Sequence, residues 1–244
     1  MNEKEQWIAK MIDHAVLHPS AGIRELEDNC RLASQYRVAS VCVKPYAVTL
    51  ARGLLAGSGV MTGTVIGFPH GNSAVQVKVY ETQTALNDGA DEIDMVVNIA
   101  KVIENDWNYL EEEIGSVLKM VRTSGRILKV IFETDLIPDD NLKITLCELC
   151  SSLKVDYVKT CTGFGYVRGA DGHLMSRGAT VHDVQLMRKH SSPEVLVKAS
   201  GGVRTLDDLL VMNAAGATRI GTSATKEIMD EAKRRYRDRE CGQP

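Results

Sequence analysis

Asp156-Tyr157-Val158-Lys159-Thr160-Cys161-Thr162-Gly163-Phe164-Gly165 is an apolar run with a lysine at its centre and a glycine-rich turn at its end. A strand alternates its side chains between two faces, so Tyr157, Lys159 and Cys161 share one face while Val158 and Thr160 share the other. The plain explanation of one such lysine is an edge strand with its ammonium in water. Two further runs repeat the design: Leu128-Lys129-Val130-Ile131-Phe132-Glu133-Thr134 and Val195-Leu196-Val197-Lys198-Ala199-Ser200-Gly201-Gly202. Three lysines inside strands are hard to explain as solvated edges, and they point instead to a common interior.

Outward from these runs the chain alternates strand-like and helix-like patterns with no linker between them. A short leading helix is expected over residues 4–11. Strands are expected over 12–17, 39–43, 64–68, 92–97, 128–133, 156–161, 195–199 and 219–222, and helices over 22–36, 46–57, 74–89 and 106–124, with others between the later strands. Strands separated by single helices pair in parallel, and eight of them at this length predict a closed (β/α)8 TIM barrel with a short N-terminal helix, one domain over residues 1–244. A doubly wound open sheet is the alternative, but no GxGxxG follows the first strand. Chemistry in a barrel gathers at the C-terminal ends of its strands. Asp13, Cys42, Asp94, Lys129, Lys159 and Lys198 are expected at those ends.

Composition narrows the classes of function. With 244 residues, 44% of them hydrophobic, the chain can bury a large core. A formal charge of -3 and the lack of a basic block before the tail argue against nucleic acid or an anionic membrane as the main partner. No stretch approaches the roughly 18 apolar residues of a membrane helix, and Met1-Asn2-Glu3-Lys4-Glu5 lacks the form of a signal peptide. The cysteines are Cys30, Cys42, Cys147, Cys150, Cys161 and Cys241. Cys147 and Cys150 have the CxxC spacing of a metal or redox pair, but they sit in a helical pattern with no second pair. Scattered thiols fit a reducing, cytoplasmic compartment.

The chemistry follows from charge. A lysine at its usual pKa of about 10.4 is almost wholly protonated at neutral pH and cannot attack a carbonyl. Desolvation and a neighbouring cation both lower that pKa, so Lys198 on the next strand is expected to leave Lys159 partly neutral. Such an amine forms a carbinolamine and then a Schiff base, whose iminium is an electron sink for making or breaking a carbon–carbon bond. Asp94 ends an apolar run where a carboxylate needs a partner, and Lys129 is placed to provide it. The pair reads either as a proton shuttle or as a buried ion pair without such a role. Three glycine turns, Gly163-Phe164-Gly165, Gly201-Gly202-Val203-Arg204 and Gly221-Thr222-Ser223-Ala224, follow the last three strands. Backbone N–H groups there, with a helix start behind, suit a phosphate.

Several of these stretches resemble the motifs of the deoxyribose-phosphate aldolase family: Ser40-Val41-Cys42-Val43, Gly89-Ala90-Asp91-Glu92-Ile93-Asp94-Met95-Val96, Leu128-Lys129-Val130-Ile131, the segment from Val158 to Gly165 and that from Val197 to Arg204. The resemblance runs from about Ile12 to Ala224. It implies a class I aldolase, needing no metal or other cofactor, that reversibly cleaves 2-deoxy-D-ribose 5-phosphate into acetaldehyde and D-glyceraldehyde 3-phosphate. Lys159 is implied as the Schiff-base lysine, Lys198 as the lysine that perturbs it, Asp94 as the acid/base group and Lys129 as its relay partner. The substrate is expected against Asp13, Cys42, Gly163, Gly165, Gly201, Gly202, Arg204, Gly221 and Ser223, and a homodimer is implied.

Two departures bear on the substrate. Where the family motif reads like Ile-Asp-His-Thr-Leu-Leu-Lys-Pro, this chain has Ile12-Asp13-His14-Ala15-Val16-Leu17-His18-Pro19, and Ala15 lacks a hydroxyl. Residues 166–176 form an insertion before Arg177-Gly178-Ala179-Thr180, bringing Arg168, Asp171 and His173 beside the expected phosphate site. A Schiff-base aldolase for a different hydroxyaldehyde, or a barrel that binds a sugar phosphate without catalysis, are the other readings. The arginine-rich tail from Arg234 to Arg239 reads as a solvated helix end.

Overall fold

The computed structural model describes residues 1–169 and 172–237, so that Asp171, Asp238, Arg239 and Cys241 lie outside the described residues. Eight parallel strands close on themselves: β1 (Ile12–Val16), β2 (Ser40–Val43), β3 (Met61–Ile66), β4 (Glu92–Val96), β5 (Ile127–Ile131), β6 (Tyr157–Lys159), β9 (Leu196–Ser200) and β10 (Arg219–Thr222). Each pairs with its successor around the ring, and β10 returns to β1 with Asp13 opposite Gly221. The expected eight-stranded barrel is therefore present. Between β6 and β9 lies an antiparallel hairpin, β7 (Val167–Arg168) with β8 (Leu174–Met175), within the insertion.

Period-two alternation separates two environments. Ile12, Val41, Ile93, Leu128, Val130, Val158, Val197 and Ile220 point outward into a continuous apolar core beneath the helices. Each such side chain contributes about 1.5–3 kcal/mol of hydrophobic stabilisation. The opposite face turns inward, and there Asp13, Glu92, Asp94, Lys129, Lys159, Lys198 and Arg219 are all buried. A barrel interior is ordinarily filled by bulky apolar layers; a charged filling is the exception here.

The helices that matter to the site are α1 (Glu3–Ala9), α2 (Ile23–Tyr36), α3 (Val48–Leu54), α4 (Val75–Asn87), α5 (Ile99–Ile103), α6 (Trp107–Thr123), α7 (Asp140–Leu153), α8 (Val181–His190), α9 (Leu206–Ala214) and α10 (Thr225–Arg237). Several start at side-chain caps, for example Thr180 on α8 and the reciprocal Thr205–Asp208 capping box on α9. The leading helix packs against α10, with the Lys4 ammonium 5.9 Å from the Tyr236 ring centre.

Strand bounds differ from the sequence expectation where apolar runs mislead. β3 starts at Met61, three residues early, because the Met61 N–H donates to Ala39 O and Gly63 interrupts the run without interrupting pairing. β6 stops at Lys159, two residues before the expected end, although the Thr160 N–H still donates to Lys198 O at 3.1 Å. The six polar residues expected at strand ends are also redistributed. Lys159 does end β6, but Asp13, Asp94, Lys129 and Lys198 sit one or more residues inside their strands. An apolar run shows where a strand lies but not how far its ends continue.

One ion pair outside the barrel interior is fully buried. Lys78 of α4 donates from Nζ to Glu113 Oε1 of α6 at 2.7 Å, and to the carbonyls of Gly71 and Val96 at 2.7 Å each. The other Glu113 oxygen accepts from the Asn98 N–H at 2.9 Å. The pair thus ties the loop after β3 to the end of β4. Breaking one partner strands a buried charge, so Glu113→Ala is expected to lower unfolding stability by about 3–5 kcal/mol. The double replacement Lys78→Met, Glu113→Leu should lose markedly less, and urea unfolding of the three proteins checks the difference.

Candidate active site

The strand register brings the inward residues of distant strands to one level. Lys159 lies opposite Lys198, and Lys129 opposite both Asp94 and Tyr157. From these positions the side chains form one network. Lys159 Nζ donates to Asp94 Oδ2 at 2.8 Å, and Lys198 Nζ donates to the same oxygen at 2.8 Å. Lys129 Nζ takes the other oxygen, Asp94 Oδ1, at 2.8 Å and reaches Glu92 Oε2 at 2.6 Å. Lys198 also reaches Asp13 Oδ2 at 2.5 Å, and Arg219 bridges Asp13 Oδ1 at 2.5 Å and Glu92 Oε1 at 3.0 Å.

Counting formal charges, Asp13, Glu92 and Asp94 give three carboxylates, while Lys129, Lys159, Lys198 and Arg219 give four cations. One cation is in excess. Among the described residues, Lys129 has three carboxylate partners, Lys198 and Arg219 have two each, and Lys159 has Asp94 alone. Lys159 is therefore the cation with the fewest partners to hold its proton. The directions of the shifts agree. Burial lowers the Lys159 pKa most, the Asp94 carboxylate opposes this, and Lys198 adds to the lowering, leaving it below the ordinary lysine value. Burial also acts against the ammonium of Lys198, but Asp13 and Asp94 outweigh it and raise its pKa. Lys129 is likewise held well above its usual value by Asp13, Asp94 and Glu92 against burial. Burial would raise Asp94, yet the three lysines keep it well below the carboxylate range.

A cavity of about 460 Å³ opens above Lys159 and Lys198. It is lined by Asp13, Cys42, Gly163, Gly201, Gly202, Arg204, Gly221 and Ser223, all expected from the sequence, and by Ala15, Thr162 and Ser200 among others. Asp94 and Lys129 are fully buried beneath its floor. Gly165 is not part of the wall: a Cβ there would lie 2.7 Å from the Glu133 carboxyl carbon, so the glycine is required by packing behind the wall. Gly221 makes room within the network, since a Cβ would come 3.2 Å from Lys198 Cε and 2.7 Å from Ser200 Cβ. Gly201 and Gly202 have φ of 92° and 80°, which turns the chain after β9 toward the mouth. The Cys42 thiol is raised by burial to about 11 and stays protonated beside the lysines.

The comparisons with known proteins agree with this geometry. The DeoC/LacD family aldolase profile matches residues 7–230. The chain belongs to that aldolase family. It is 44% identical to a deoxyribose-phosphate aldolase of Rhodopirellula baltica over 93% of this chain and 90% of the relative, and 44% identical to one of Thermococcus gammatolerans over 93% and 96%. A tetrameric deoxyribose phosphate aldolase of Aeropyrum pernix superposes with a TM-score of 0.83 at 30% identity, covering 94% of this chain and 92% of that one. The protein is thus a carbon–carbon lyase of the Schiff-base type on a TIM barrel.

Sequence reasoning missed Glu92 and Arg219 in the aldolase's network. The signal was present: Glu92 stands two residues before Asp94 and Arg219 two before Gly221, so each shares an inward face with a residue already singled out. The insertion proved different in placement. None of its described residues lines the cavity; Val167 instead borders a separate hollow with Asp135, Arg177 and His182. Arg168 is exposed and donates to Gly172 O at 3.2 Å. Cys147 and Cys150 are buried free thiols on α7, the former raised by burial to about 12.

The network dictates a pH response. Schiff-base formation needs a neutral amine, so a Schiff base on Lys159 should form faster as pH rises through its pKa. Lys198→Met removes a cation that disfavours the Lys159 ammonium, and the rising limb should move to higher pH. Asp94→Asn removes a carboxylate that favours the ammonium, and the limb should move to lower pH. Borohydride trapping of acetaldehyde as a function of pH, read by intact mass, measures both.

Proposed function

We propose that this aldolase reversibly cleaves 2-deoxy-D-ribose 5-phosphate into acetaldehyde and D-glyceraldehyde 3-phosphate through a Schiff base on Lys159. The observation that carries the reading is the solitary contact of Lys159 with Asp94 at the floor of the cavity, in a network with one cation too many among the described residues. The relatives' names supply the substrate, and the glycine turns around the cavity suit its phosphate.

The steps follow from this placement. The neutral Lys159 amine adds to C1 of the open-chain sugar, and loss of water gives the iminium. Removal of the C3 hydroxyl proton breaks the C2–C3 bond, the electron pair passes into the iminium, and glyceraldehyde 3-phosphate departs. The enamine left behind takes a proton at C2, and hydrolysis returns acetaldehyde and the free amine. Asp94 holds hydrogen bonds from Lys159, Lys198 and Lys129 at once, so it and its lysine partners are placed to pass these protons. The phosphate is assigned to the Gly201–Gly202 turn, exposed Arg204 and Ser223 just before α10, where backbone N–H groups and the helix N-terminus favour an anion.

A second reading keeps the chemistry and changes the substrate. Ala15 lines the cavity where the family motif carries a threonine, so the wall lacks one hydroxyl and favours a hydroxyaldehyde with less need of it. The whole chain, residues 1–244, is taken as one barrel domain. The five buried free thiols support a cytoplasmic setting, and no helix of the described residues is long and apolar enough to cross a membrane. Ile23, Tyr46 and Leu50 present exposed apolar surface between α2 and α3, which supports the homodimer, and light scattering decides it.

Incubation with deoxyribose 5-phosphate and borohydride, followed by peptide mapping, should place the adduct on Lys159, and Lys159→Ala should show neither adduct nor turnover. Asp94→Asn should lower kcat by about 10²–10⁴-fold. Turnover of several aldehyde acceptors separates the two readings: deoxyribose phosphate as a poor substrate would sink the first.

A further inference from the structure

The link from β5 to α7 carries an oddity that the reaction scheme leaves unused. Of the four described non-glycine residues at positive φ, Arg37 and Lys154 are helix C-caps and Asn105 directly follows one. Glu133 is at φ 60° and ψ 63° at the end of a strand, with a side chain that is only 1% exposed. A buried acid on a left-handed backbone is a doubly costly arrangement, and such strain persists where the surroundings hold it for a purpose.

What the carboxyl holds is the cavity wall. Glu133 Oε2 accepts from the Thr162 N–H at 3.1 Å and from the Thr162 hydroxyl. The Thr162 oxygen in turn accepts from the Phe164 N–H at 2.9 Å. Thr162, Gly163 and Phe164 all line the cavity, three residues beyond Lys159 and onward. Gly165 packs directly on the Glu133 carboxyl, as its missing side chain requires. Two residues along the same link, Asp135 Oδ2 accepts from Ser176 Oγ and from the N–H groups of Arg177 and Gly178, at 2.9–3.0 Å. Gly178 abuts Gly201, and the Ala179 N–H donates to Gly201 O at 2.9 Å. The link therefore grips both ends of the insertion and, through them, two of the turns around the cavity.

We propose that Glu133 is a positioning residue: by clamping Thr162 it sets residues 162–164 as the wall that receives the phosphate-bearing half of the substrate, without touching the lysine chemistry. The assignment rests on the function proposed above. Burial raises the Glu133 carboxyl above its ordinary value, and its Oε1 has no hydrogen-bond partner among the described residues, so a neutral amide should serve nearly as well as the acid.

The test uses Glu133→Ala, Glu133→Gln, Thr162→Val and the Glu133→Ala, Thr162→Val double variant of the full chain. The probes are deoxyribose 5-phosphate for steady-state kinetics and acetaldehyde with borohydride for the lysine alone. Glu133→Ala and Thr162→Val should each raise KM about tenfold, the upper end of what one lost hydrogen bond costs. The double variant should be no worse than either single one, because both remove the same clamp. Glu133→Gln should stay near wild type, and acetaldehyde trapping on Lys159 should be unchanged throughout. An unchanged KM in Thr162→Val, additive effects in the double variant, a Glu133→Gln as impaired as the alanine variant, or trapping that falls with KM would each overturn the assignment. Should Glu133→Ala fail to fold, the glutamine and Thr162 variants decide the matter by themselves. A wild type that traps acetaldehyde but does not cleave the sugar phosphate would overturn the substrate reading, whereas a cleaving wild type with indifferent variants overturns the role of Glu133 alone.

Discussion

Seven charged side chains share the inside of one barrel, and the rest of the structure is arranged to make that tolerable. Each ion taken out of water carries a penalty of several kcal/mol that only close, multiple partners offset. Lys129 meets this condition with three carboxylates, and Arg219 with two. Lys159 meets it least, with a single shared oxygen of Asp94. A network one cation too rich holds a proton least firmly where the partners are fewest, and burial and Lys198 lower the Lys159 pKa there. The reactivity proposed for Lys159 is a property of the whole set; in isolation it would be an ordinary lysine.

The barrel supplies the geometry this needs. Closure places β9 beside both β6 and β10, so Lys198 meets Lys159 on one side and lies opposite Arg219 on the other. Small residues at facing positions leave space for the long side chains, and Gly221 beneath Lys198 is the clearest case. The large apolar core cluster lies on the outer face of the strands, where it stabilises the fold without competing for the interior. Stability and chemistry thus occupy opposite faces of the same strands, and a single period-two pattern encodes both.

Charges outside the interior hold loops in place. Lys78 and Glu113 fasten the ends of β3 and β4 through backbone carbonyl and N–H groups, and Glu133 and Asp135 do the same for the segments that follow β6 and precede α8. Loops lack the repeating hydrogen bonds of strands and helices, so a buried side chain that collects several backbone groups is an economical way to fix them. The insertion is gripped at both ends by this means, and none of its described residues lines the cavity.

The strand count, the alternation of faces, the three interior lysines, Asp94 and the glycine turns were legible in the sequence because each is a local pattern with its own period or spacing. Glu92 and Arg219 were half legible: their face follows from Asp94 and Gly221, but nothing local says that they meet each other across the barrel from β4 and β10. The strand ends at Met61 and Lys159 were not legible, since pairing with a neighbour rather than apolar content decides them. Nor was the role of Gly165, which looks like any turn glycine until the Glu133 carboxyl is found packed upon it. By itself the sequence determined that charged residues would be carried inward on parallel strands of a closed barrel, because alternation and connectivity are written along the chain. Only the tertiary structure decided which carboxylate serves which lysine, and hence which lysine is left short of a partner, because Coulomb interactions depend on distances through space that residues 65 or 185 positions apart do not reveal.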